Sequence, residues 1–335
     1  MQRILLILAL AVLLFPAKHS TKDNPVVAGA LLVRSEAVPL VSGTAAAPSL
    51  GPFIWRGSWV LRSDSKDFGG ISAMLVSDDQ SVLALADSAT LMGFPAPSRP
   101  HSAPARRQFI APLPIKAGYQ DWPNWKWDSE SLVHDPVSDR YWVGFEMIDW
   151  ICRYSPGFSR VESCRVWPEM LAWPKTGGAE AMVRLTDGRF LIFSEMAYGG
   201  ANANQLLLFA ADPTEQSTPR PQMLTYRPPQ GFRPTDAVQI APNRLLVLNR
   251  RVTLYQGFTA SIAVVDMPPL KEGAHLVGRE IARLEPPVLS DNYEALALSK
   301  ENGRTMLWVA SDDNLQFFQR TLLLKLQVPD SLLRN

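Results

Sequence analysis

Five polar residues recur at near-regular intervals along the 335-residue chain, and four of them are acids. They are Ser72, Glu130, Glu180, Asp236 and Glu294, separated by 58, 50, 56 and 58 residues. Each stands at or near the head of an apolar run, as in the stretch NYEALALS at 292–299. An unpaired carboxylate buried in such a run costs several kcal/mol. We therefore expect these side chains to face water or to share partners.

Acids gathered at one place can relieve their repulsion in three ways: by taking up protons, by pairing with arginine, or by binding a hard cation. Oxygen-only ligands suit Ca²⁺, and suit Mg²⁺ with retained waters less well. Such a cation could hold a phosphate or carboxylate group and activate water, while arginines recognise anions. The alternative is structural, because acids at strand starts can bond backbone N–H groups and keep neighbouring sheets in register.

For a site in which the acids bind a cation, the sequence predicts both metal ligands and catalytic groups. The candidate metal ligands are Glu130, Glu180, Asp236, Glu294 and Asp312. The candidate catalytic residues are Glu180, Glu294, Arg250 and Arg320. The expected substrate is a small anionic molecule or ester. Motifs for zinc peptidases, serine hydrolases, nucleotide phosphates and dinucleotides are missing from the sequence, so we expect no organic cofactor and no Ser-His-Asp chemistry.

Each of the five polar residues begins one copy of a sequence repeat. The residues that follow it in each copy predict the strands that position it. After the first apolar run come a turn and a second run: VLALAD, YWVGFE, FLIFSE, LLVLNR and LWVASD. A third and often a fourth strand-like run follow. Four short antiparallel strands repeated every 50 to 58 residues are typical of a β-propeller blade. Repeated helices are disfavoured, because β-branched and aromatic residues fill the runs and 28 prolines punctuate them.

Counting the copies predicts an all-β, five-bladed propeller over residues 53–329, followed by a C-terminal tail at 330–335. The last copy lacks an outer strand, which FIWRGSWVL at 53–61 could supply by pairing with the end of the chain. This closes the ring and removes an exposed sheet edge. A sixth, degenerate blade stays open, because residues 24–50 and 93–124 contain unplaced strand-like fragments. Otherwise 21–52 is interpreted as an irregular linker.

The propeller arrangement places the acids at one mouth of the central channel. Antiparallel pairing brings the first residue of an inner strand beside the last residue of the second strand. The expected neighbours are Ser72 and Asp87, Glu130 and Glu146, Glu180 and Glu195, Asp236 and Arg250, and Glu294 and Asp312. His134, at the end of an inner strand, should lie at the opposite end of the channel.

Charge and the N-terminus restrict the partners and the compartment. The 33 Lys and Arg residues nearly cancel the 32 Asp and Glu residues without a basic block, so neither nucleic acid nor anionic lipid is favoured. Arg3 precedes an apolar run at 4–15, which has the length of a signal peptide. We expect residues 1–20 to direct export, to the periplasm or outside the cell. The alternative is an uncleaved N-terminal anchor, and no other segment approaches a membrane span.

Two further segments contain a candidate disulfide and a tryptophan-rich loop. Cys152 and Cys164 flank turn residues, and in an oxidising compartment we expect a disulfide across a hairpin; two free buried thiols are the alternative. The segment YQDWPNWKWDSE at 119–130 delivers Glu130 to the channel mouth. Its aromatic rings could stack a sugar or aromatic ligand, or could plug the gap between two blades.

Together these segments resemble a known family. The stretches FGGISAMLVSDDQSVLALAD, DSESLVHDPVSDRYWVGFE, GGAEAMVRLTDGRFLIFSE, GFRPTDAVQIAPNRLLVLNRR and NYEALALSKENGRTMLWVASDDNLQFFQRTLLL resemble the bacterial "esterase-like activity of phytase", or phytase-like, family. The resemblance runs from about residue 53 to 328. It implies a secreted or periplasmic propeller, related to propeller phytases, that hydrolyses a phosphoester or another ester.

The sequence departs from that family's pattern at two points. Ser72 replaces an acid in the first repeat, and the full calcium- and phosphate-binding set of propeller phytases is not matched, so phytate is not implied as the substrate. Two other functions stay open. One is a non-catalytic propeller of the cell envelope that binds a ligand or a protein at the same mouth, and the other is a lactonase-like metal propeller.

Overall fold

The computed structural model describes residues 28–41, 50–99, 108–200 and 202–334. The expected signal or anchor segment at 1–20 lies outside these residues. Within them the regular secondary structure is almost entirely β-strand. No helix in these ranges is long and apolar enough to cross a bilayer.

Twenty-three strands follow one another along the described chain. The strands of the first half are β1 (Gly29–Ala30), β2 (Arg34–Ala37), β3 (Ile54–Arg62), β4 (Ile71–Val76), β5 (Ser81–Ala86), β6 (Thr90–Pro95), β7 (Phe109–Pro112), β8 (Ser129–Asp135), β9 (Arg140–Phe145), β10 (Trp150–Tyr154) and β11 (Val161–Val166). Those of the second half are β12 (Ala179–Arg184), β13 (Phe190–Tyr198), β14 (Asn204–Phe209), β15 (Gln222–Arg227), β16 (Arg233–Ala241), β17 (Arg244–Thr253), β18 (Gly257–Asp266), β19 (His275–Val277), β20 (Arg279–Leu284), β21 (Tyr293–Glu301), β22 (Arg304–Ser311) and β23 (Leu322–Gln327). One short α-helix, α1 (Asp330–Leu333), lies near the end of the described chain, and 3-10 helices of three residues span Asn124–Lys126, Pro156–Phe158 and Met170–Ala172.

The strands form five sheets, which are the five blades. From the inner to the outer strand they are blade 1 (β4-β5-β6-β7-β1), blade 2 (β8-β9-β10-β11), blade 3 (β12-β13-β14-β15-β19), blade 4 (β16-β17-β18-β20) and blade 5 (β21-β22-β23-β3-β2). Each inner strand also contacts the inner strands of both neighbouring blades, so that β4, β8, β12, β16 and β21 surround one axis. The predicted five-bladed propeller is confirmed.

The ring closes as expected, by pairing its two ends. Strand β3 lies antiparallel to β23, from Ile54 opposite Gln327 to Val60 opposite Leu322. The fragments that left a sixth blade open belong to existing blades, because β1 pairs with β7 and β2 pairs with β3. Most of the segment interpreted as a linker is therefore held against blades 1 and 5 where it is described. The tail at 330–334 is held too, since Arg244 donates to the carbonyl of Leu332 at 3.1 Å.

Packing between blades explains why the inner strands are apolar on both faces. One face of an inner strand meets the preceding blade and the other face meets the following blade. In β21, Ala295 and Ala297 pack with Met74 of blade 1, whereas Leu296 packs with Leu248 of blade 4. Burying each such large side chain contributes about 1.5–3 kcal/mol. The acids that precede these runs are consequently carried to the channel axis by a rigid core.

The two cysteines form a disulfide inside blade 2. Cys152 of β10 and Cys164 of β11 are direct cross-strand partners, and their sulfur atoms are bonded. The predicted bridge is confirmed. It closes a short loop, with a sequence separation of 12 residues.

We expect the double substitution Cys152→Ala with Cys164→Ala to lower the free energy of unfolding by about 3 kcal/mol. The reason is that the open chain regains the entropy that the closed loop loses in the unfolded state. Denaturant unfolding under oxidising conditions measures the difference, and the wild-type protein unfolded in reductant provides the matched comparison. Equal midpoints for the oxidised wild type and the double variant would contradict this account.

Candidate active site at the channel mouth

Every inner strand carries an irregularity at the same place. Its regular pairing with the second strand shifts by one residue, which leaves one residue per blade without a ladder partner. These residues are Ser72, Glu130, Glu180, Thr235 and Glu294. A bulge of this kind re-aims a side chain and often lies beside a functional site. The structural counterpart in blade 4 is thus Thr235, one residue before the Asp236 of the sequence repeat.

The two hydroxyl residues at this position join neighbouring blades. Ser72 donates through Oγ to the carbonyl of Ser129 in blade 2 at 2.5 Å. Thr235 reaches the carbonyl of Tyr293 in blade 5 through Oγ1 at 3.5 Å. In blades 1 and 4 the bulged residue therefore links two blades. The bulged residues of blades 2, 3 and 5 are glutamates, which are the candidates for chemistry at the mouth.

Asp236 lies apart from those glutamates and has a structural set of contacts. Its Oδ2 accepts the backbone N–H of Leu296 in blade 5 at 2.6 Å, and its Oδ1 accepts the N–H of Ala237 at 2.7 Å. Burial raises the pKa of Asp236 to about 8 despite these two bonds. For this candidate metal ligand the geometry matches the structural alternative, in which an acid keeps two blades in register.

Three carboxylates do approach one another closely, and we call them the carboxylate triad. Asp128, Glu130 and Glu146 each offer an oxygen, and these oxygens lie within 4.8 Å of one another. Asp128 immediately precedes β8, and Glu130 is the bulged residue of that strand. Glu146 follows β9, where its N–H donates to the carbonyl of Asp128 at 2.8 Å. Its Oε1 accepts the N–H of Gly178 at 2.9 Å.

The pKa values of the mouth carboxyls are raised by burial and then by mutual repulsion. Burial and the neighbouring Glu146 raise the pKa of Asp128 to about 8. Burial raises the pKa of Glu146 to about 7, although two backbone N–H groups oppose the shift. The pKa values of Glu130 and Glu180 are raised well above the ordinary range for the same two reasons. A hydrogen bond between the carboxyls of Asp128 and Glu130, and another between those of Glu146 and Glu180, contributes to these shifts.

An arginine neutralises the other side of the mouth. Arg250, from β17, donates through Nη2 to Glu195 at 2.7 Å and forms an ion pair with Glu294 through Nη1. Nη1 also lies 3.0 Å from Oδ1 of Asn292, whose Nδ2 donates to Glu294 at 2.8 Å. Burial alone would lower the pKa of Arg250, but Glu195 and Glu180 raise it overall. The predicted anion-recognising arginine is thus engaged by protein carboxylates.

Two other predicted site residues lie toward blade 5. Asp312 is buried, accepts the N–H of Asn314 at 2.6 Å, and lies 3.4 Å from Nδ2 of Asn292. Burial and then repulsion from Asp87 raise its pKa. Arg320 instead forms an ion pair with Asp291 at 3.3 Å and donates to the carbonyl of Ser290. Its described contacts do not include Glu130, Glu180 or Glu294.

The structure therefore brings together most of the predicted residues and adds others. Glu130, Glu180, Glu294, Asp312 and Arg250 meet at the mouth, whereas Asp236 and Arg320 have separate contacts. Asp128 and Asn292 were missed by the sequence argument, and Glu146 and Glu195 were expected only as neighbours of Glu130 and Glu180. The signal for Asp128 was its i, i+2 spacing from Glu130.

The tryptophan-rich segment largely fills space between blades. Trp127 is buried and lies 5.5 Å from Phe145, while Trp122 lies 5.8 Å from Trp150, both measured between ring centroids. This supports the interpretation as a plug at the upper part of the blade 1 and blade 2 interface. Trp125 is the exception, because 53% of it is exposed.

Five radial sheets, antiparallel except for the parallel pair of β15 and β19, surround a channel with a carboxyl-rich mouth. They define a β-propeller with a candidate acid or metal site. Among propellers, the chain belongs to the phytase-like family described as "esterase-like activity of phytase", which it matches over residues 66–315. The family resemblance of the sequence is thereby confirmed.

Several solved structures are similar to the chain at low sequence identity. An α-L-arabinofuranosidase from Clostridium thermocellum is 10% identical with a TM-score of 0.47, and the match covers 79% of this chain and 95% of that one. An α-L-arabinofuranosidase from Podospora anserina is 10% identical with a TM-score of 0.46, covering 83% and 98%. Myxococcus xanthus glutaminyl cyclase is 10% identical with a TM-score of 0.41, covering 82% and 97%. No curated protein sequence matches the chain.

Proposed function

We propose that this protein is a hydrolase of a phosphoester or another ester, and that it uses a divalent cation, Ca²⁺ in preference to Mg²⁺, at the carboxylate triad. The observation that carries the proposal is the approach of three carboxyl oxygens to within 4.8 Å of one another. The family description, which names both an esterase-like activity and phytase, supports the same reaction class.

The residues present suit a hard cation. Calcium takes oxygen ligands at about 2.3–2.6 Å, so two oxygens on one ion are separated by at most about 5 Å. The triad meets this limit and offers only oxygens. Asp128 and Glu130 are half-buried, which leaves a route from solvent, and Glu146 is buried. Bound calcium would polarise an ester or phosphoryl oxygen and make a nucleophile of water.

Two other glutamates at the mouth would have separate roles in the reaction. Glu180 is hydrogen-bonded to Glu146, and burial with repulsion from Glu195 and Glu146 raises its pKa, which favours a role as proton donor to a leaving-group oxygen. Glu294 is fixed by Arg250 and Asn292 and shapes the facing wall. Since carboxylates dominate the mouth, an anionic substrate needs the cation to bind, whereas an uncharged ester does not.

The direct test combines melting with turnover. Purified protein is melted with Ca²⁺, with Mg²⁺ and with a chelator, and is assayed on p-nitrophenyl phosphate and p-nitrophenyl acetate. We expect Ca²⁺ to raise the melting temperature and to support hydrolysis of at least one ester, and the chelator to abolish both effects. An unchanged melting temperature together with no turnover would eliminate the metallohydrolase.

Stability without added cation should fall as pH rises. The pKa values of Glu146 and Asp128 are raised to about 7 and about 8, from an ordinary value near 4. The folded protein therefore binds more protons than the unfolded chain, so this contribution is complete below about pH 4 and is lost as pH passes 7 to 8. Each group contributes at most about 1.4 kcal/mol per pH unit.

Chemical unfolding from pH 5 to pH 8.5 measures this trend. We expect millimolar Ca²⁺ to cancel much of the fall and to act more strongly at pH 8 than at pH 5, because protons no longer compete for the triad. Asp236 contributes to the fall without contributing to its reversal, since it lies outside the triad. A calcium effect independent of pH would argue against binding at these carboxyls.

A second function, binding of a protein partner at the mouth without catalysis, is favoured by the surface of the same face. Loops at the mouth end carry exposed apolar side chains, among them Tyr255, which is fully exposed, and Phe317, which is 98% exposed. Such side chains on one face are typical of interaction sites. Replacing Tyr255 and Phe317 by Ser should leave ester turnover unchanged if the hydrolase proposal holds.

We further propose that the protein works outside the cytoplasm. The support is the Cys152–Cys164 disulfide, because such bridges persist in oxidising compartments, together with the leader-like N-terminal sequence. Fractionation of cells producing the full chain, with N-terminal sequencing of the product, tests export and cleavage. Recovery of the uncleaved, reduced chain in the cytoplasm would contradict it.

A further inference from the structure

The end of the channel opposite the mouth contains a cavity of about 810 Å³, which we call the lower cavity. Its roof is a ring of five equivalent positions, one from each inner strand: Met74, Leu132, Met182, Ala237 and Leu296. None of the three triad residues lines it. The lower cavity is therefore separate from the site proposed for hydrolysis.

The wall of the lower cavity continues into the interface between blades 1 and 2. There Leu75, Leu83 and Phe109 of blade 1 face the cavity with Tyr141 of blade 2, and all four are half-buried. Nearer the mouth the same interface is closed by buried side chains such as Leu85 and Phe145. Large apolar side chains around an open cavity lack the contacts that a filled core would give them. They form a surface that an apolar ligand can cover.

Polar groups stand mostly at the outer rim of this cavity. Ser77, His134, Arg184, Thr186 and Gln239 lie there, at or just beyond the ends of the inner strands. An apolar cavity with a few convergent polar groups at its rim is the usual form of a small-molecule site. The rim would hold a head group in water while the wall covers a chain.

Two charged residues line the cavity, and they differ in availability. Asp236 already accepts two backbone N–H groups within 2.7 Å. Arg184 has a longer ion pair, 3.4 Å from Nη2 to Oδ2 of Asp135, and 27% of its side chain is exposed. His134 is held by Asp139 at 2.8 Å and stacks on Tyr141. The guanidinium of Arg184 is the lining group suited to a ligand anion.

We propose that the lower cavity binds a monoanionic amphiphile, such as a medium-chain carboxylate, with its head group on Arg184 and its chain against Leu75, Leu83 and Phe109. The charge of the rim arginine selects an anionic head, and the half-buried wall selects an aliphatic or aromatic body. The volume lies within the range of about 300–1,000 Å³ that is usual for ligand pockets. This site does not depend on the hydrolase proposal.

Calorimetric titration of the full chain with octanoate, decanoate and dodecanoate, below their micellar concentrations, tests the site. We expect saturable binding of one molecule, with the dissociation constant falling about fourfold per added methylene until the wall is covered. Arg184→Gln should weaken decanoate binding by about tenfold while leaving decanol binding unchanged. Arg189→Gln removes a nearby arginine that pairs with Asp187, and it serves as the matched control.

Blocking the wall provides an independent readout. Leu83→Trp should abolish binding by filling the cavity, and Leu75→Gln should weaken it by making the wall polar if the first variant fails to fold. Val137→Trp, at a lower-face position that is 93% exposed, should bind as the wild type does. The proposal is overturned if the wild type does not bind decanoate, if Arg184→Gln binds it equally well, or if Glu130→Gln at the mouth abolishes binding.

Discussion

Glu130→Gln should raise the stability of the cation-free protein and abolish its activity. The amide cannot carry the negative charge that the triad requires for a cation, so ester turnover should fall by about two to three orders of magnitude. Removing this half-buried carboxyl also removes repulsion with Asp128 and Glu180. Chelator-treated Glu130→Gln should accordingly unfold at a higher denaturant concentration than wild type at pH 8.

Measuring ester turnover and the denaturant concentration at which the protein unfolds separates a catalytic role of Glu130 from a structural one. The variant should also lose the rise in melting temperature that Ca²⁺ produces in the wild type. Asp236→Asn is the matched control: it replaces another carboxyl with a raised pKa, but one whose partners are backbone N–H groups. It should keep the calcium response. A Glu130→Gln protein that unfolds more easily and still hydrolyses esters would show that Glu130 only supports the fold.

Arg250→Met should be the most destabilising single substitution at the mouth. It leaves Glu195 and Glu294, both more than 90% buried, without their shared cation. Removing one partner of a buried ion pair costs about 3–5 kcal/mol, because the remaining charge is uncompensated. The loss should shrink at acid pH, where the abandoned carboxylates can take up protons.

Denaturant unfolding at pH 8 and pH 5 checks this expectation. Arg251→Met is the control on the same strand, since Arg251 makes a longer ion pair, 3.6 Å, to a partly exposed Glu285. It should cost about 1 kcal/mol or less. A loss below about 1 kcal/mol for Arg250→Met at pH 8 would mean that Arg250 does not hold the two glutamates.

The sequence match establishes the family, and the ring of sheets establishes the fold. The reaction is proposed from three carboxyls and their protons. The variants above act on those carboxyls directly, so the chemistry can fail while the family and the fold stand.

Several features of this protein could be predicted from the chain alone because they depend on local pattern. Strand runs alternate with turns at a constant period, and antiparallel strands put the start of one beside the end of the next. Blade number, ring closure by residues 53–61 and the cross-strand pairing of Cys152 with Cys164 follow from that regularity. So does the meeting of Glu130, Glu180 and Glu294 at one mouth.

The tertiary structure determines which acids meet at the channel mouth, because a shift of one residue in strand pairing changes where a side chain points. The sequence repeat aligns Asp236 with the glutamates, but the bulge falls at Thr235, so Asp236 bonds the next blade instead. Arg320 lies close in sequence to Asp312 and yet pairs with Asp291. A bulge moves side chains to a different face, and its position depends on hydrogen bonds between strands and on packing between blades. Those contacts join residues far apart in the chain, so residue order alone does not specify which carboxyls meet.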